Sequence, residues 1–323
     1  MVTRDALAST LVTLVQMAAV VALTPLLIGM MRATRARLEG RAGGRLTQPS
    51  RDLLKLLRRE PLQADGTSLV SRAGPVALMA TSLMLAALLP LVATRTSARV
   101  PDDLFVVVSV LLLGSVSLAL VGLDSGSAFG GMGSSRHMTI AALLEPTVLL
   151  AVYALSIPAG SSVLSDIVAT RAESPGTVIS PVSLLALAAL VMVILAETGR
   201  LPVDNPSTHL ELTMVHEAMV LESSGRDLGW LELGSWMRLT VLLGLLGNVT
   251  TPWGIAGSAA PLTVALGLIA LVAKVLGLGV AIAAVEVFLA KVRLFRVPEL
   301  LAASFVLAFL AVSASYLVTG VAT

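Results

Sequence analysis

AETGRLPVDNPSTHLELTMVHEAMVLESSGRD, residues 196–227, is the stretch on which the fold and its purpose turn. It lies between strongly apolar runs in a chain of 323 residues that is 56% hydrophobic, 13% charged and 3% aromatic. Yet it holds Glu197, Arg200, Asp204, His209, Glu211, His216, Glu217, Glu222, Arg226 and Asp227, with two of the three histidines of the chain. Ionisable groups beside lipid-soluble helices are costly to place, so such a concentration points to an ion path, a ligand or a partner.

Outward from this stretch the chain reads as membrane protein. Mean hydropathy is +0.92, and apolar runs of roughly 20 residues cross a bilayer. Eight such runs occur, at 7–31, 75–93, 104–123, 139–157, 181–197, 236–250, 261–286 and 300–319. The sixth is the weakest, being short and carrying Asn248 and Thr250 near its end. The first is too long for a signal peptide and lacks a basic leader, so it is expected to stay as a span. The expectation is an all-α integral membrane protein, one membrane domain over 1–323 with eight transmembrane helices.

Lys and Arg gather in the odd loops. Arg32, Arg35, Arg37, Arg41, Arg45, Arg51, Lys55, Arg58, Arg59 and Arg72 follow the first run, and Arg200, Arg226 and Arg238 follow the fifth. The other side has Arg4, Arg95, Arg99 and Arg171. The positive-inside rule makes the odd loops cytoplasmic, both termini external, and the location the cell's inner (plasma) membrane.

Between the first two runs, Gln48 to Pro61 predicts a short amphipathic helix over about 50–60. Leu53, Leu54, Leu56 and Leu57 share one face, while Arg51, Lys55, Arg58 and Arg59 share the other. Such a helix lies on a membrane surface, contacts lipid, and offers Arg51 and Asp52 to a cytoplasmic partner. The Gly-rich run Gly122 to His137 lacks the strand and the GK[ST] of a phosphate cradle, so a tight cytoplasmic loop around Asp124 is expected. The external stretch 158–180 carries no functional signal.

Several ionisable groups fall within or at the ends of spans. Glu145 precedes Pro146 in the fourth, Lys274 is near the middle of the seventh, and Glu286 near its end. A membrane carboxylate needs a partner, a proton or water. Each group is either a structural hydrogen-bonding residue or a step of a proton path. Asn205-Pro206 fits a helix start, with a helix running to Gly225 as its stop. His209 and His216 are seven apart and lack the closer companions that zinc requires.

No cysteine occurs, which excludes thiolate-held iron–sulfur clusters and disulfides. The histidines sit at or beyond span ends, which disfavours paired haem ligation. The chain is expected to bind no cofactor and no metal, and to do no redox chemistry itself. The pI near 9.4 comes from loop arginines and gives no reason to invoke nucleic acid.

Residues 196–222 resemble the corresponding loop in the membrane subunit of formate hydrogenlyase and hydrogenase-4 complexes, a family related to subunit 1 of respiratory complex I. Gln48 to Glu60, Gly122 to Thr139, and Ala290 to Pro298 resemble the same branch. The resemblance implies eight spans and a seat for a hydrogenase-like large subunit and an iron–sulfur small subunit on the cytoplasmic side. It also implies antiporter-like membrane neighbours, with the nickel–iron centre and iron–sulfur clusters in the partners. Glu197, Asp204, Glu211, Glu217 and Glu222 would line a loop at the start of a proton path; the acids at span ends and the mid-span lysine suggest that it continues through Glu145, Glu286 and Lys274. Arg200 would help hold that loop. Arg51, Asp52, Asp124, Arg200, His209, Arg226, Arg293 and Arg296 would face the docked subunits. The chain departs from the family pattern at Ser50 and Ser223, where aromatics are expected, and at His137, where an acid is.

The expected role is therefore membrane anchor and proton-coupling subunit of an energy-converting hydrogenase or formate hydrogenlyase-like oxidoreductase complex. A quinone-site subunit of a complex I-type NADH:quinone oxidoreductase is the alternative within the class. A standalone ion transporter would show an internal repeat with broken helices in both halves, and none is visible. A purely structural anchor would use its acids only for docking.

Overall fold

The computed structural model describes residues 2–63, 66–94, 102–200, 214–289 and 296–321. Twelve α-helices occur among these: α1 (Val2–Leu38), α2 (Gln48–Leu57), α3 (Val70–Leu88), α4 (Leu104–Asp124), α5 (Ala128–Ser156), α6 (Leu164–Glu173), α7 (Pro175–Val178), α8 (Pro181–Glu197), α9 (His216–Val220), α10 (Gly225–Thr250), α11 (Pro261–Phe288) and α12 (Val297–Val321). Extended structure among the described residues is confined to isolated bridges, Ala93 with Ala256 and Asp103 with Val163.

Six helices are long and apolar enough to cross a membrane: Leu7–Leu38, Leu69–Leu88, Leu104–Asp124, Ala128–Ala159, Pro261–Phe288 and Val297–Val318. They give the chain the make-up of an integral membrane protein. Pro181–Glu197 is a shorter apolar helix, about 26 Å long at 1.5 Å per residue.

α10 explains why its span looked weak. It packs against α1, α2, α3, α8 and α11, and every residue from Met237 to Val249 is buried. A helix enclosed by other helices has no lipid to satisfy, so it tolerates Arg238 and Asn248, which lipid-facing helices exclude. Small residues set its spacing. A Cβ on Gly234 would lie 3.1 Å from Leu78 Cγ, and one on Gly229 3.1 Å from Leu57 Cδ2. The second half of the bundle is built on α5, which contacts α4, α8, α9 and α12.

Two expected loops are helical. Gly130 and Gly133 lie inside α5, not in a cytoplasmic loop. Their bare backbones let helices meet: a Cβ on Gly133 would lie 2.9 Å from Ala218 Cβ and 3.0 Å from the Val215 carbonyl. The periodic pattern was masked because glycine has no side chain to show a face. The stretch 158–180 contains α6 and α7. The helix expected to stop at Gly225 instead ends at Val220, and Gly225 opens α10 at φ 52° against the Glu60 carbonyl. Only glycine satisfies both demands.

α2 covers Gln48–Leu57, against the expected 50–60, with Pro49 in its first turn. Leu53 is buried, while Leu54 is 54% exposed. The two are about 100° apart around the helix, so Leu54 leaves the face that packs on α10.

α3 ends before the predicted limit of its span, at Leu88, just ahead of Pro90. The freed backbone is satisfied from other helices. Gln16 donates from Nε2 to the Ala86 and Leu89 carbonyls at 2.7 and 2.8 Å, and its Oε1 accepts from the Val92 amide at 2.9 Å. Asn248 Nδ2 donates to the Pro90 and Leu91 carbonyls at 2.7 and 3.0 Å. Non-helical backbone at membrane depth survives only with such internal partners.

Candidate functional site

α8 carries its apolar length down to Glu197, where the backbone turns out through Gly199 at φ 57°. There the ends of α1, α8, α10 and α11 converge with α9 around a cavity of about 220 Å³. Four carboxylates, Glu197, Glu217, Glu232 and Glu286, and four guanidiniums, Arg32, Arg35, Arg200 and Arg238, line it with His137 and His216. The formal charges of acids and arginines cancel, which is how a low-dielectric pocket tolerates so many.

Two ionic clusters organise it. The Glu286 carboxylate, 3% exposed, accepts from Arg35 Nη2 at 2.9 Å and pairs with Arg200 Nη1 at 3.4 Å. These three residues come from α11, α1 and the turn that follows α8. Burial pulls the Arg200 guanidinium below its ordinary range, and the Glu286 charge opposes that shift. The second cluster is deeper. Arg238 Nη2 pairs with Glu197 Oε1 at 2.6 Å and donates to Ser115 Oγ at 2.9 Å and to the Leu111 carbonyl. Ser115 in turn donates to Glu197 at 3.3 Å. Arg32 lies 5.6 Å over the Trp236 ring, a cation–π contact at the cavity wall.

Glu145 stands behind this cavity. It shares a narrow apolar gap with Glu197, lined by Val108, Leu111, Leu144 and Leu190. Its Oε1 is buried and has no hydrogen-bond partner among the described residues. His137 is ten residues inside α5, with a buried Nε2 that lacks such a partner too.

The predicted proton-path residues thus divide. Glu197, Glu217 and Glu286 meet in the cavity, with Glu145 adjoining. Lys274 lies elsewhere: its Nζ donates to Asn248 Oδ1 at 3.0 Å. Glu222 is exposed just beyond α9. Asp204 and Glu211 lie outside the described residues.

Among the predicted docking residues, Arg51, Arg226 and Arg296 are exposed. Asp52 accepts from Gln48 at 2.8 Å. Asp124 is committed within the chain, accepting from the amides and hydroxyls of Ser68 and Ser71 at the start of α3. Arg200 faces the cavity, and His209 and Arg293 lie outside the described residues.

Sequence reasoning missed Glu232 and gave Arg35 and Arg238 only a topological part. Arg238 carried a signal: it is the one charged residue of the apolar run 236–250. Among the described residues no group of three or more His, Asp or Glu is placed to hold a metal ion.

Comparison with known proteins decides the kinship. The family described as NADH dehydrogenase matches residues 10–317. The chain belongs to that family. Formate hydrogenlyase subunit 4 of Escherichia coli K12 is 33% identical over 303 residues, covering 94% of this chain and 97% of that protein. Hydrogenase-4 component C of the same organism is 33% identical over 237 residues, 72% of this chain and 73% of its own length. NADH-ubiquinone oxidoreductase chain 1 of Triticum aestivum is 27% identical over 202 residues, 62% of this chain and 60% of its own. The resemblance drawn from residues 196–222, to the hydrogenlyase branch and more distantly to complex I, is borne out. In fold the chain matches a subunit of the membrane-bound sulfane sulfur reductase, an archaeal respiratory membrane complex. The TM-score is 0.82 at 20% identity, over 95% of this chain and 99% of that one.

Proposed function

We propose that the chain anchors a hydrogenase-like peripheral arm in the inner membrane and couples electron transfer there to proton movement. The observation that carries this is the charge-balanced cavity at the end of α8, where Glu197, Glu217, Glu232 and Glu286 meet four arginines. A redox change in a docked partner alters the local field, and coupled carboxylates respond by exchanging protons. Glu197 receives a proton from the cavity side and Glu145 takes it across the apolar gap they share. Glu286 is held between Arg35 and Arg200 and answers the same field. Asp204 and Glu211 extend the acid set, while His209, Arg293, Arg296, Arg51 and Arg226 face the partners.

In this reading the chain is one membrane domain with eight spans, adding 181–197 and 236–250 to the six long apolar helices. Both termini lie outside, and α2 lies on the cytoplasmic membrane surface. The nickel–iron centre and iron–sulfur clusters belong to the large and small peripheral subunits, with antiporter-like subunits alongside in the membrane. The kinship with formate hydrogenlyase subunit 4 and hydrogenase-4 component C supports this assembly.

The test replaces Glu197, Glu217 and Glu286 singly with Gln in the whole complex, reconstituted in vesicles. Electron transfer with reduced proton translocation is the expected result for Glu197→Gln and Glu286→Gln. Pumping and turnover unchanged in all three variants would remove the relay. A quinone-site role is the second reading, favoured by the apolar wall of Ile28, Met31, Leu78 and Leu118 in the same cavity. Inhibition of the intact complex by quinone-site inhibitors would select it. Co-purification of the peripheral subunits identifies the electron donor and acceptor.

A further inference from the structure

A second cavity, of about 300 Å³, lies at the opposite end of the bundle, where α5 and α12 finish and α8 begins. Ala154, Leu155, Ile167 and Val182 make its walls apolar. Val318 also lines it and is 64% exposed, so the cavity opens to the outside of the fold.

Arg171 of α6 is set into this apolar wall. It is 4% exposed. Its Nε donates to the Val249 carbonyl at 2.9 Å and its Nη1 to Ser183 Oγ at 2.9 Å. Its Nη2 is buried without a hydrogen-bond partner, and among the described residues no carboxylate pairs with it. A buried guanidinium with an idle donor carries a large desolvation cost unless an anion answers it. Burial alone draws the group below its ordinary range, in keeping with an unanswered charge.

Depth indicates the anion. Arg171 bonds Ser183, near the start of α8, while Glu197 at the other end lines the charged cavity. The separation is about 21 Å at 1.5 Å per residue, against a hydrocarbon core of roughly 30 Å. Arg171 therefore lies in the half of the bundle opposite the charged cavity, toward the other leaflet. A phosphate drawn to the mouth of the cavity is answered by this guanidinium once Nη2 turns out of the wall that buries it, with Leu155 and Val182 offering an apolar path to an acyl chain.

We propose that this cavity binds one anionic phospholipid, its phosphate held by Arg171 and one acyl chain inside the cleft of α5, α8 and α12. The site ties α6 to the ends of α8 and α10 and is separate from the proton-coupling role proposed above.

The test uses the full chain isolated in mild detergent with its native subunits, stripped of loosely held lipid. Phosphatidylglycerol, phosphatidylcholine of the same chains, or palmitate is added, and bound molecules are weighed by native mass spectrometry. One phosphatidylglycerol per chain is expected, at least about tenfold tighter than the other two, the difference made by a charge-assisted bond. Arg171→Gln is expected to lose that preference. Because Arg171 also braces Val249 and Ser183, a second variant leaves it in place: Ala159→Phe, on the cavity wall, fills the chain's path and should abolish retention while the complex still assembles. Equal affinity for phosphatidylcholine, whose phosphate is neutralised by its own choline cation, would show that the site does not select an anionic lipid, and equal affinity for palmitate would show a carboxylate site. Either overturns the proposal. So does phosphatidylglycerol that stays bound to a folded Ala159→Phe complex.

Discussion

Replacing Arg238 by Met tests whether the deep cluster is held by charge or by packing. The Arg238 and Glu197 side chains are 6% and 7% exposed, and Nη2 to Oε1 is 2.6 Å. Met keeps the apolar stem and removes the cation. Leu111 lies inside α4, where its carbonyl already accepts an amide of the next turn, so its loss is small. Glu197 is the orphan: a buried carboxylate left with Ser115 at 3.3 Å. Removing one member of a buried pair costs roughly 3–5 kcal/mol, and the remaining hydroxyl sets the expectation at about 3 kcal/mol. Glu197→Gln leaves Arg238 with an amide oxygen to bond, for about 2 kcal/mol. The double variant buries no unpaired charge and should also cost about 2 kcal/mol, some 3 kcal/mol less than the sum. Denaturant unfolding in detergent measures the cycle. Trp236, two residues from Arg238, places a fluorophore at the cavity wall. Additivity within about 0.5 kcal/mol would mean the pair does not couple, and the electrostatic account of the cavity would fall.

Three further outcomes follow from other contacts. Lys274→Met should leave stability nearly unchanged, because Asn248 keeps its two bonds to Pro90 and Leu91. A fall in vesicle proton transport at normal assembly would place Lys274 on the path, and normal transport would take it off. Gly225→Ala, forced to φ 52° against the Glu60 carbonyl, should cost about 1–3 kcal/mol, read as a lower unfolding midpoint; no change would remove the close approach of α10 to the 59–60 backbone. Asp124→Ala removes the acceptor for the Ser68 and Ser71 amides, so hydrogen exchange should quicken in the first turn of α3 and not at its far end.

Hydropathy marked eight apolar runs, and six of them are long apolar helices among the described residues, because lipid-facing helices must be apolar all round. It blurred α10, since a helix shielded by neighbours is free to carry Arg238 and Asn248. The acid cluster was half legible. Glu197 and Glu217 announced themselves in one stretch, but Arg35 lies 251 positions from its partner Glu286, and no local pattern records such a meeting. Arg171 was overlooked for the converse reason. Its surroundings, 158–180, are polar and Gly/Ser-rich in sequence, whereas α6 turns Leu164, Ile167 and Val168 inward and draws the arginine in with them.

The interrupted end of α3 has an electrical consequence. Lys274 is at the midpoint of α11, and its hydrogen-bond partner is the neutral Asn248, itself engaged with the freed carbonyls of Pro90 and Leu91. A proton gained or lost there changes a whole elementary charge partway through the membrane field. That field is worth about 2.3 kcal/mol per charge per 100 mV over its full thickness, roughly half at mid-depth. A charge on this one amine therefore meets about half of the transmembrane field, whereas the balanced ion pairs, with no net charge, scarcely sense it.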